Sequence, residues 1–391
     1  MKIYAPEVEH FRVSKERFNK FFRYHGWPSI ARDERGVLYV VSSGMRMSHV
    51  CPAGKNVMYM SYDDGKTWTK PMVLNDSYVD DRDMGICYLG NGKFIVSWFA
   101  ESPEDYHDHI QDLDFFGEAD KKLTAGFSKA WKLMDKEEYF SYAKSFVMIS
   151  EDYCVTWSDP IEVPIFGPHG PNLCKDGSLV YLGNYLYNAS YSYKDENGEE
   201  VRPPLGCFIS RDGGYTWEHQ GDMPNGIADN GEEITPWEMF EPHVMELPDG
   251  RLIGAIRTHS ANNEEINTTF ITFSEDQGKT WTRPKGIGID GMPAHLLMHS
   301  SGAIVMSYSC RTEGLRCERA VVSYDNGETW TQDYALDHRI APWRYDMGYP
   351  ASAELADGTI ITIYYQSFEN DGCPGILGTK WRLVKEQEKA E

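Results

Sequence analysis

Short runs of apolar and β-branched residues recur along the chain, each directly after a small turn that contains glycine. The runs follow six glycines: Gly36, Gly92, Gly177, Gly250, Gly302 and Gly358. The intervals between these glycines are 56, 85, 73, 52 and 56 residues. Turn-then-strand signals at such spacing are typical of a radial array of four-stranded sheets. We therefore assign the runs as the inner strands of a six-bladed, all-β propeller.

A second repeat marks the hairpins of the same blades. Five segments read Ser-x-Asp-x-Gly-x-Thr-Trp or a close variant, and they begin at Ser61, Ser150, Ser210, Ser274 and Ser323. In such a turn the Asp accepts backbone N–H bonds, the Gly supplies a positive φ and the Trp covers the hairpin. The second segment carries Cys154 in place of Gly, so we expect strain there. Five turns for six runs predict that an N-terminal strand completes the last blade and closes the ring.

The longest interval between blades contains an insertion. Residues 101–143 are rich in charged and helix-forming residues, with apolar positions at roughly helical spacing, which predicts a helical insertion in blade 2. Six blades of about 55 residues account for nearly the whole chain. We therefore expect one domain over residues 1–391, a six-bladed propeller with the 101–143 insertion inside it.

The composition of the chain excludes several classes of binding partner. A formal net charge of −22 argues against nucleic acid or an anionic membrane as a partner, because phosphate binding requires a basic face. No apolar stretch approaches a membrane span and the first residues lack a signal-peptide core, so we expect a cytoplasmic protein. Eight cysteines without a CxxC pair, and no cluster of ligating residues, predict neither a disulfide framework nor a metal site or cofactor. Nothing in the sequence indicates an oligomeric state.

Two segments carry the chemistry that a propeller funnel would need. In the first, Glu241 precedes Pro242 and lies 16 residues before Arg257; in the second, Tyr349 stands between a glycine and a proline. These features, with the five Asp turns, resemble the exo-sialidase (neuraminidase) superfamily. Its members carry an Asn-Glu-Pro-like Glu about 16 residues before an Arg of the carboxylate clamp, and a Tyr in a Gly-Tyr-Ser-like context. Another clamp Arg stands about seven residues before the last Asp turn, which corresponds to Arg316.

The resemblance implies a retaining exo-glycosidase that hydrolyses a terminal sialic acid or a related acidic sugar from a glycan or oligosaccharide. Tyr349 would be the nucleophile, Glu241 its base, and Arg257 and Arg316 would hold the substrate carboxylate. A phenol is a sensible nucleophile because sialic acid carries a carboxylate on its anomeric carbon, which would repel a carboxylate nucleophile. A phenol with a pKa near 10 needs a neighbouring base, and Glu241 would supply it.

Two departures from the family pattern concern the opposite wall of the funnel. Gly26 stands where sialidases carry the first clamp arginine, and Arg23, Arg32 or Arg46 are the nearby replacements. The loop that normally supplies the acid/base Asp contains no carboxylate here. His49 is the titratable residue nearest that position, and histidine is a competent general acid near neutral pH. The carboxylates of residues 80–83, at the start of a blade-2 strand, are the acidic alternatives.

Five further positions are predicted substrate contacts. Asp83 lies at the start of a blade-2 strand in an acidic run, and His169 lies in a Gly-Pro-rich loop where sialidases line the funnel. Trp237 lies on a strand-entry loop, as do Trp343 and Arg344. The alternatives are a sialidase-fold glycosidase for a different sugar, such as another ulosonic acid, a uronic acid or a neutral glycan end, and a non-catalytic carbohydrate-binding propeller.

Overall fold

The structure is a computed structural model of the chain. It describes residues 2–15, 22–47, 49–51, 53–77, 79–101, 135, 137–138, 141–186, 191–259, 267–339, 346–367 and 373–384. The predicted helical insertion over 101–143 falls mainly on residues outside these ranges, as do Trp343 and Arg344, so these interpretations stay predictions. No helix among the described residues is long and apolar enough to span a membrane.

Six antiparallel four-stranded sheets form the propeller. Given from the innermost strand outward, the strands of blades 1 to 3 are Tyr24–Arg32, Leu38–Arg46, Lys55–Ser61 and Met72–Asn75; Asp80–Gly90, Lys93–Glu101, Ser145–Ser150 and Ile161–Val163; and Asn172–Leu173, Leu179–Tyr185, Gly206–Ser210 and Glu218–Asp222. Those of blades 4 to 6 are Met239–Glu246, Leu252–His259, Asn267–Ser274 and Lys285–Gly286; Ala294–Met298, Ile304–Cys310, Cys317–Ser323 and Gln332–Asp337; and Met347–Glu354, Ile360–Ser367, Pro374–Trp381 and Glu9–Arg12.

Smaller elements decorate this ring. Ile165–Phe166 pairs with the second strand of blade 3, and Lys2–Tyr4 adds a parallel strand to the edge of blade 5. The remaining elements are the hairpin of Tyr193–Lys194 and Glu200–Val201, the pair Gly226–Ile227 and Glu233–Ile234, and a 3₁₀-helix at Pro236–Glu238.

The ring closes as the count of repeats predicts. Glu9–Arg12 pairs antiparallel with Pro374–Trp381 and forms the outermost strand of blade 6. The innermost strands contact their neighbours in the order of blades 1 to 6 and back to blade 1. Six large apolar clusters fill the spaces between adjacent blades, one at each interface.

The assignment of the apolar runs as inner strands is wrong by one strand. Each of the six glycines takes a positive φ in the turn that joins the innermost strand to the second, so the run after it is the second strand. The second strands are regular and buried on both faces, which explains their clear apolar signal. Three of the innermost strands carry a proline within a register shift, which hides them in the sequence.

The five Asp turns share one hydrogen-bond set. In the first, Thr67 donates from its N–H and its hydroxyl to Asp63 at 2.8 and 2.7 Å, and the N–H of Gly65 donates to Ser61 Oγ at 2.8 Å. The second turn keeps these bonds although Cys154 must adopt a φ of 63°. The expected strain at this position is therefore present, and the turn absorbs it without changing shape.

Candidate active site

Four innermost strands carry the same backbone irregularity at the floor of the funnel. Trp27, Asp83, Glu241 and Tyr349 have φ values of 52°, 49°, 44° and 52°, and the strand register shifts at each of them. A non-glycine residue in this region costs about 1–3 kcal/mol and persists only where its surroundings enforce it. Such strain clusters at functional sites, so the four side chains define the candidate site.

Tyr349, Glu241 and Arg257 form one hydrogen-bonded group. The Tyr349 hydroxyl donates to Glu241 Oε1 at 2.6 Å, and Arg257 Nη1 donates to Glu241 Oε2 at 2.7 Å and to Tyr349 Oη at 3.2 Å. Asn184 Oδ1 accepts from the backbone N–H of Glu241 at 3.0 Å, and Arg257 Nε lies 2.9 Å from His259 Nε2. Tyr349 and Glu241 thus lie within the hydrogen-bond reach that the sequence analysis expected.

The charges of this group follow from burial and contact. Burial alone would raise the pKa of Glu241, but the Arg257 charge and the Tyr349 hydrogen bond lower it below its usual value. Burial and the Glu241 charge raise the pKa of Tyr349 well above 10. At neutral pH the pair is therefore a neutral phenol donating to an ionised carboxylate, the starting state for proton transfer from Tyr349 to Glu241.

His49 faces the same floor from blade 1 and is held by a buried carboxylate. Its Nδ1 lies 3.0 Å from Asp346 Oδ1, and its ring meets Trp27 edge-on at 4.9 Å. Tyr24 and Tyr365 donate their hydroxyls to Asp346 at 2.8 and 2.9 Å. Burial opposes ionisation of Asp346, but His49 and these hydroxyls lower its pKa below the usual range. The imidazole is thereby oriented with Nε2 free of this carboxylate.

Arg46, one of the proposed replacements for the missing clamp arginine, is committed elsewhere. It forms a fully buried pair with Asp80, in which Nη1 and Nη2 lie 2.5 and 2.6 Å from the two carboxylate oxygens. Nη2 also donates to the backbone carbonyl of His49 at 2.7 Å, and the N–H of Cys51 donates to Asp80. The pair therefore fixes the loop that presents His49.

Blade 2 brings a different guanidinium to the floor. The Arg82 guanidinium lies 4.5 Å from the centre of the Trp27 ring, and its Nη1 pairs with Glu101 at 2.7 Å. The adjacent Asp83 is buried, and burial together with the Glu241 charge raises its pKa to about 7. Asp83 Oδ1 accepts no hydrogen bond. Asp83 therefore presents a carboxyl group that is half protonated near neutral pH.

Blade 5 contributes Arg311 to the floor, whereas the sequence pointed to Arg316. The Arg311 guanidinium lies 5.7 Å from the centre of the Tyr349 ring, and its buried Nε and Nη2 have no hydrogen-bond partner in the described part of the chain. It approaches so closely that a Cβ on Gly348 would lie 2.9 Å from Nη2. Arg316 Nε donates a hydrogen bond to the backbone carbonyl of Arg311 at 3.4 Å. The two arginines flank one hairpin turn, between strands that pair Cys310 with Cys317.

Comparisons with known proteins agree with this architecture. Residues 123–363, more than half of the chain, match the BNR repeat-like domain family. The chain belongs to the BNR-repeat proteins of the sialidase superfamily. A sialidase of Paraclostridium sordellii is 25% identical over 139 residues, which cover 34% of this chain and 33% of that protein. A sialidase of Clostridium perfringens is 25% identical over 168 residues, 42% of each chain. The matches thus span less than half of the relatives' length.

Solved structures show the same fold. A protein of unknown function from Dyadobacter fermentans superposes with a TM-score of 0.71 at 18% identity, over 97% of this chain and 100% of that one. The Hadza microbial sialidase Hz136 gives 0.62 at 18% identity, over 92% and 66%. The α-L-arabinofuranosidase of Fusarium graminearum gives 0.58 at 12% identity, over 95% and 97%. These identities support the propeller fold alone.

His169 lies beneath the floor of this BNR-repeat propeller and not among the funnel side chains. Its ring packs against those of His243 and His295 at 5.6 and 5.0 Å, and the latter two stack at 4.5 Å. Burial lowers the pKa of His295 to about 3, so the cluster is neutral. His243 Nδ1 accepts a backbone N–H from Leu296, which places the ring proton on Nε2 and leaves no lone pair there for a metal. Among the described residues no ligand cluster suits a metal ion.

Three side chains of the site were not predicted from the sequence: Asp346, Arg82 and Arg311. Asp346 lies three residues before Tyr349 and Arg82 precedes Asp83, so both lie beside predicted positions. Their contacts are with residues distant in the chain, which no local pattern reveals. The signal available for Asp346 was its place at the head of the segment that carries Tyr349.

Proposed function

We propose that this protein is a retaining glycoside hydrolase that removes a terminal acidic sugar from a glycan. The observation that carries the proposal is the 2.6 Å hydrogen bond from Tyr349 to Glu241, with Arg257 bound to both residues. A phenol paired with an ionised carboxylate is an activated nucleophile. The four strained residues support the same location.

The proposed reaction has two steps. In the first, Tyr349 Oη attacks the anomeric carbon, Glu241 takes the phenolic proton, and His49 protonates the leaving oxygen as its bond to the sugar breaks. In the second, His49 takes a proton from water, which attacks the anomeric carbon. The bond from the anomeric carbon to Tyr349 Oη breaks as the bond to water forms, and the departing phenolate recovers its proton from Glu241. Asp346 keeps the His49 ring in position throughout.

Arg311 supports an acidic substrate. Its guanidinium lies beside the Tyr349 ring with two buried N–H groups unmet, and a carboxylate next to the anomeric carbon would pair with them. Arg257 is already paired with Glu241, so it adds less positive charge to the pocket. Sialic acid is the member of this class that the relatives' names suggest.

A neutral sugar end is the second candidate, and Trp27 favours it. This residue holds the strained position of blade 1, with Arg82 stacked on its ring and His49 at its edge. Trp27 directly follows Gly26, the position at which this chain lacks the first clamp arginine of sialidases. The fold-level neighbour with arabinofuranosidase activity shows that the propeller also serves neutral sugars.

A panel of 4-methylumbelliferyl conjugates tests these proposals. Conjugates of N-acetylneuraminic acid and glucuronic acid are compared with that of arabinofuranose. We expect turnover of an acidic conjugate, and a loss of roughly 10³-fold or more in Tyr349→Phe with an unchanged melting temperature. Turnover of the neutral conjugate alone would select the second candidate. Glycan binding without turnover in the wild type would indicate a non-catalytic propeller.

A further inference from the structure

A second unmatched guanidinium lies on the blade-3 side of the funnel. Arg202 follows the short strand Glu200–Val201, and its Cζ lies 4.1 Å from the centre of the Phe240 ring. Tyr191 and Trp237 complete an aromatic box, with ring centres 5.0 and 6.0 Å from Cζ. Arg202 Nε and Nη2 are buried and have no hydrogen-bond partner among the residues that the structure describes. We call this group the Arg202 box.

The aromatic rings around Arg202 do not replace the hydrogen-bond acceptors that its N–H groups lack. Cation–π contacts stabilise a guanidinium from its faces, whereas the N–H groups point outward in its plane and need oxygen acceptors. Arg202 is within electrostatic reach of Glu241, but both oxygens of that carboxylate are taken by Tyr349 and Arg257. A half-buried guanidinium whose buried N–H groups lack an acceptor is unfavourable, and in a chain of net charge −22 its retention calls for an explanation.

The position of the Arg202 box relative to His49 decides which part of a substrate it would meet. His49 Nε2 lies 3.5 Å from Arg82 Nη2, and Arg82 lies 6.0 Å from the centre of the Phe99 ring. Phe99 contacts Tyr191 at 6.5 Å, and Tyr191 contacts Arg202. Three side chains thus separate Arg202 from the proposed acid. The leaving group lies at the acid, so a group at Arg202 belongs to the terminal sugar.

We propose that the Arg202 box binds an anionic substituent of the terminal sugar at a position remote from the anomeric carbon. This inference rests on the proposed function, since it takes the floor of the funnel as the sugar site. The chemistry is that of an oxyanion, which a planar guanidinium pairs with two N–H groups, as in a uronic acid carboxylate or a sulfate ester. Trp237, which is 46% exposed, would stack on the sugar ring beside it.

Binding of matched monosaccharides tests the assignment without any turnover. Isothermal titration compares wild-type protein with glucuronate and with glucose, which differ only in the carboxylate at C6, and glucose 6-sulfate separates a sulfate from a carboxylate. We expect either anionic sugar to bind roughly tenfold or more tightly than glucose, the effect of one charge-assisted hydrogen bond or more. Arg202→Gln should remove the preference, whereas Arg211→Gln, in an exposed rim pair with Glu218, should keep it.

Two results would overturn the assignment. One is a wild type that binds neither anionic sugar more tightly than glucose; the other is an Arg202→Gln variant that keeps the preference. If Arg202→Gln does not fold, Arg202→Lys retains the charge and loses the planar fork, and the preference should fall several-fold. A failure of hydrolysis in the conjugate panel leaves this binding result readable, so the two proposals fail separately.

Discussion

The rim and the floor of the propeller both place residues at positive φ, and they do so in opposite ways. At the rim, each Asp turn has two consecutive left-handed residues, such as Asp64 and Gly65. The second of the two is glycine in four of the five turns, and bonds within eight residues hold the turn. At the floor, bulky side chains such as Glu241 and Tyr349 take the same conformation singly, held by partners far along the chain. The strain at the rim lies within a local turn, whereas the strain at the floor lies at the residues of the candidate site.

This difference also decides what the sequence could reveal. The rim turns were readable because the Ser, Asp and Thr that bond one another lie within one short motif, repeated five times. Tyr349 and Glu241 are 108 positions apart and were found through the family resemblance. Arg311 was missed because it and Arg316 flank the same turn, and which of them points into the funnel depends on side-chain direction that spacing does not encode.

Among these variants we expect the largest loss of activity from a substitution of Asp346, which holds the His49 ring at the floor of the funnel. Asp346→Asn should lower kcat by roughly 10²–10⁴-fold with little change in KM, because the imidazole loses its orienting carboxylate while the sugar contacts remain. Steady-state kinetics on the best conjugate measure both constants. A rise in KM with an unchanged kcat would contradict a positioning role.

Asp337 offers a matched control for this experiment. It is also a buried aspartate that accepts a tyrosine hydroxyl, from Tyr364 at 2.7 Å, and it lies on the outer strand of blade 5. Asp337→Asn should reduce stability and leave kcat and KM close to those of the wild type. Equal losses of kcat in both variants would show that the Asp346 effect is structural.

A pH-dependent effect distinguishes Asp83 from the exposed carboxylates of the rim. Its folded pKa of about 7 lies above the ordinary value of 3.8, so the folded state holds a proton that the unfolded state has released between these values. The contribution of Asp83 to stability is therefore present at low pH and lost as pH rises through 7. The free energy of unfolding of Asp83→Asn relative to the wild type should rise by about 1.4 kcal/mol per pH unit from pH 4 to 7, then level off.

Chemical denaturation across this pH range measures that difference. Asp63 at the rim provides the contrast, because its bonds to Thr67 lower its pKa to about 2. Asp63→Asn should show no such rise between pH 4 and 7. A flat difference for Asp83→Asn as well would mean that the floor carboxylate is solvated in the folded protein.

The smallest effect concerns two glycines, both with positive φ. A Cβ at Gly250 would meet no atom within 4 Å, so Gly250→Ala should cost about 1 kcal/mol from the backbone alone. A Cβ at Gly65 would lie 2.8 Å from Ile361 Cδ1, so Gly65→Ala should cost about 1–3 kcal/mol more. Thermal unfolding of both variants measures the gap. Equal costs would show that the Asp turns do not pack tightly on the neighbouring blade.

Trapping the glycosyl-enzyme tests whether Tyr349 is the nucleophile that Glu241 activates. A fluorinated glycosyl fluoride of the sugar that proves to be the substrate slows the second step, and peptide mass spectrometry locates the attached sugar. We expect one sugar on the peptide that contains Tyr349, and no attached sugar in Tyr349→Phe. An adduct on Glu241 or another residue, or hydrolysis with inversion at the anomeric carbon and no adduct, would contradict it.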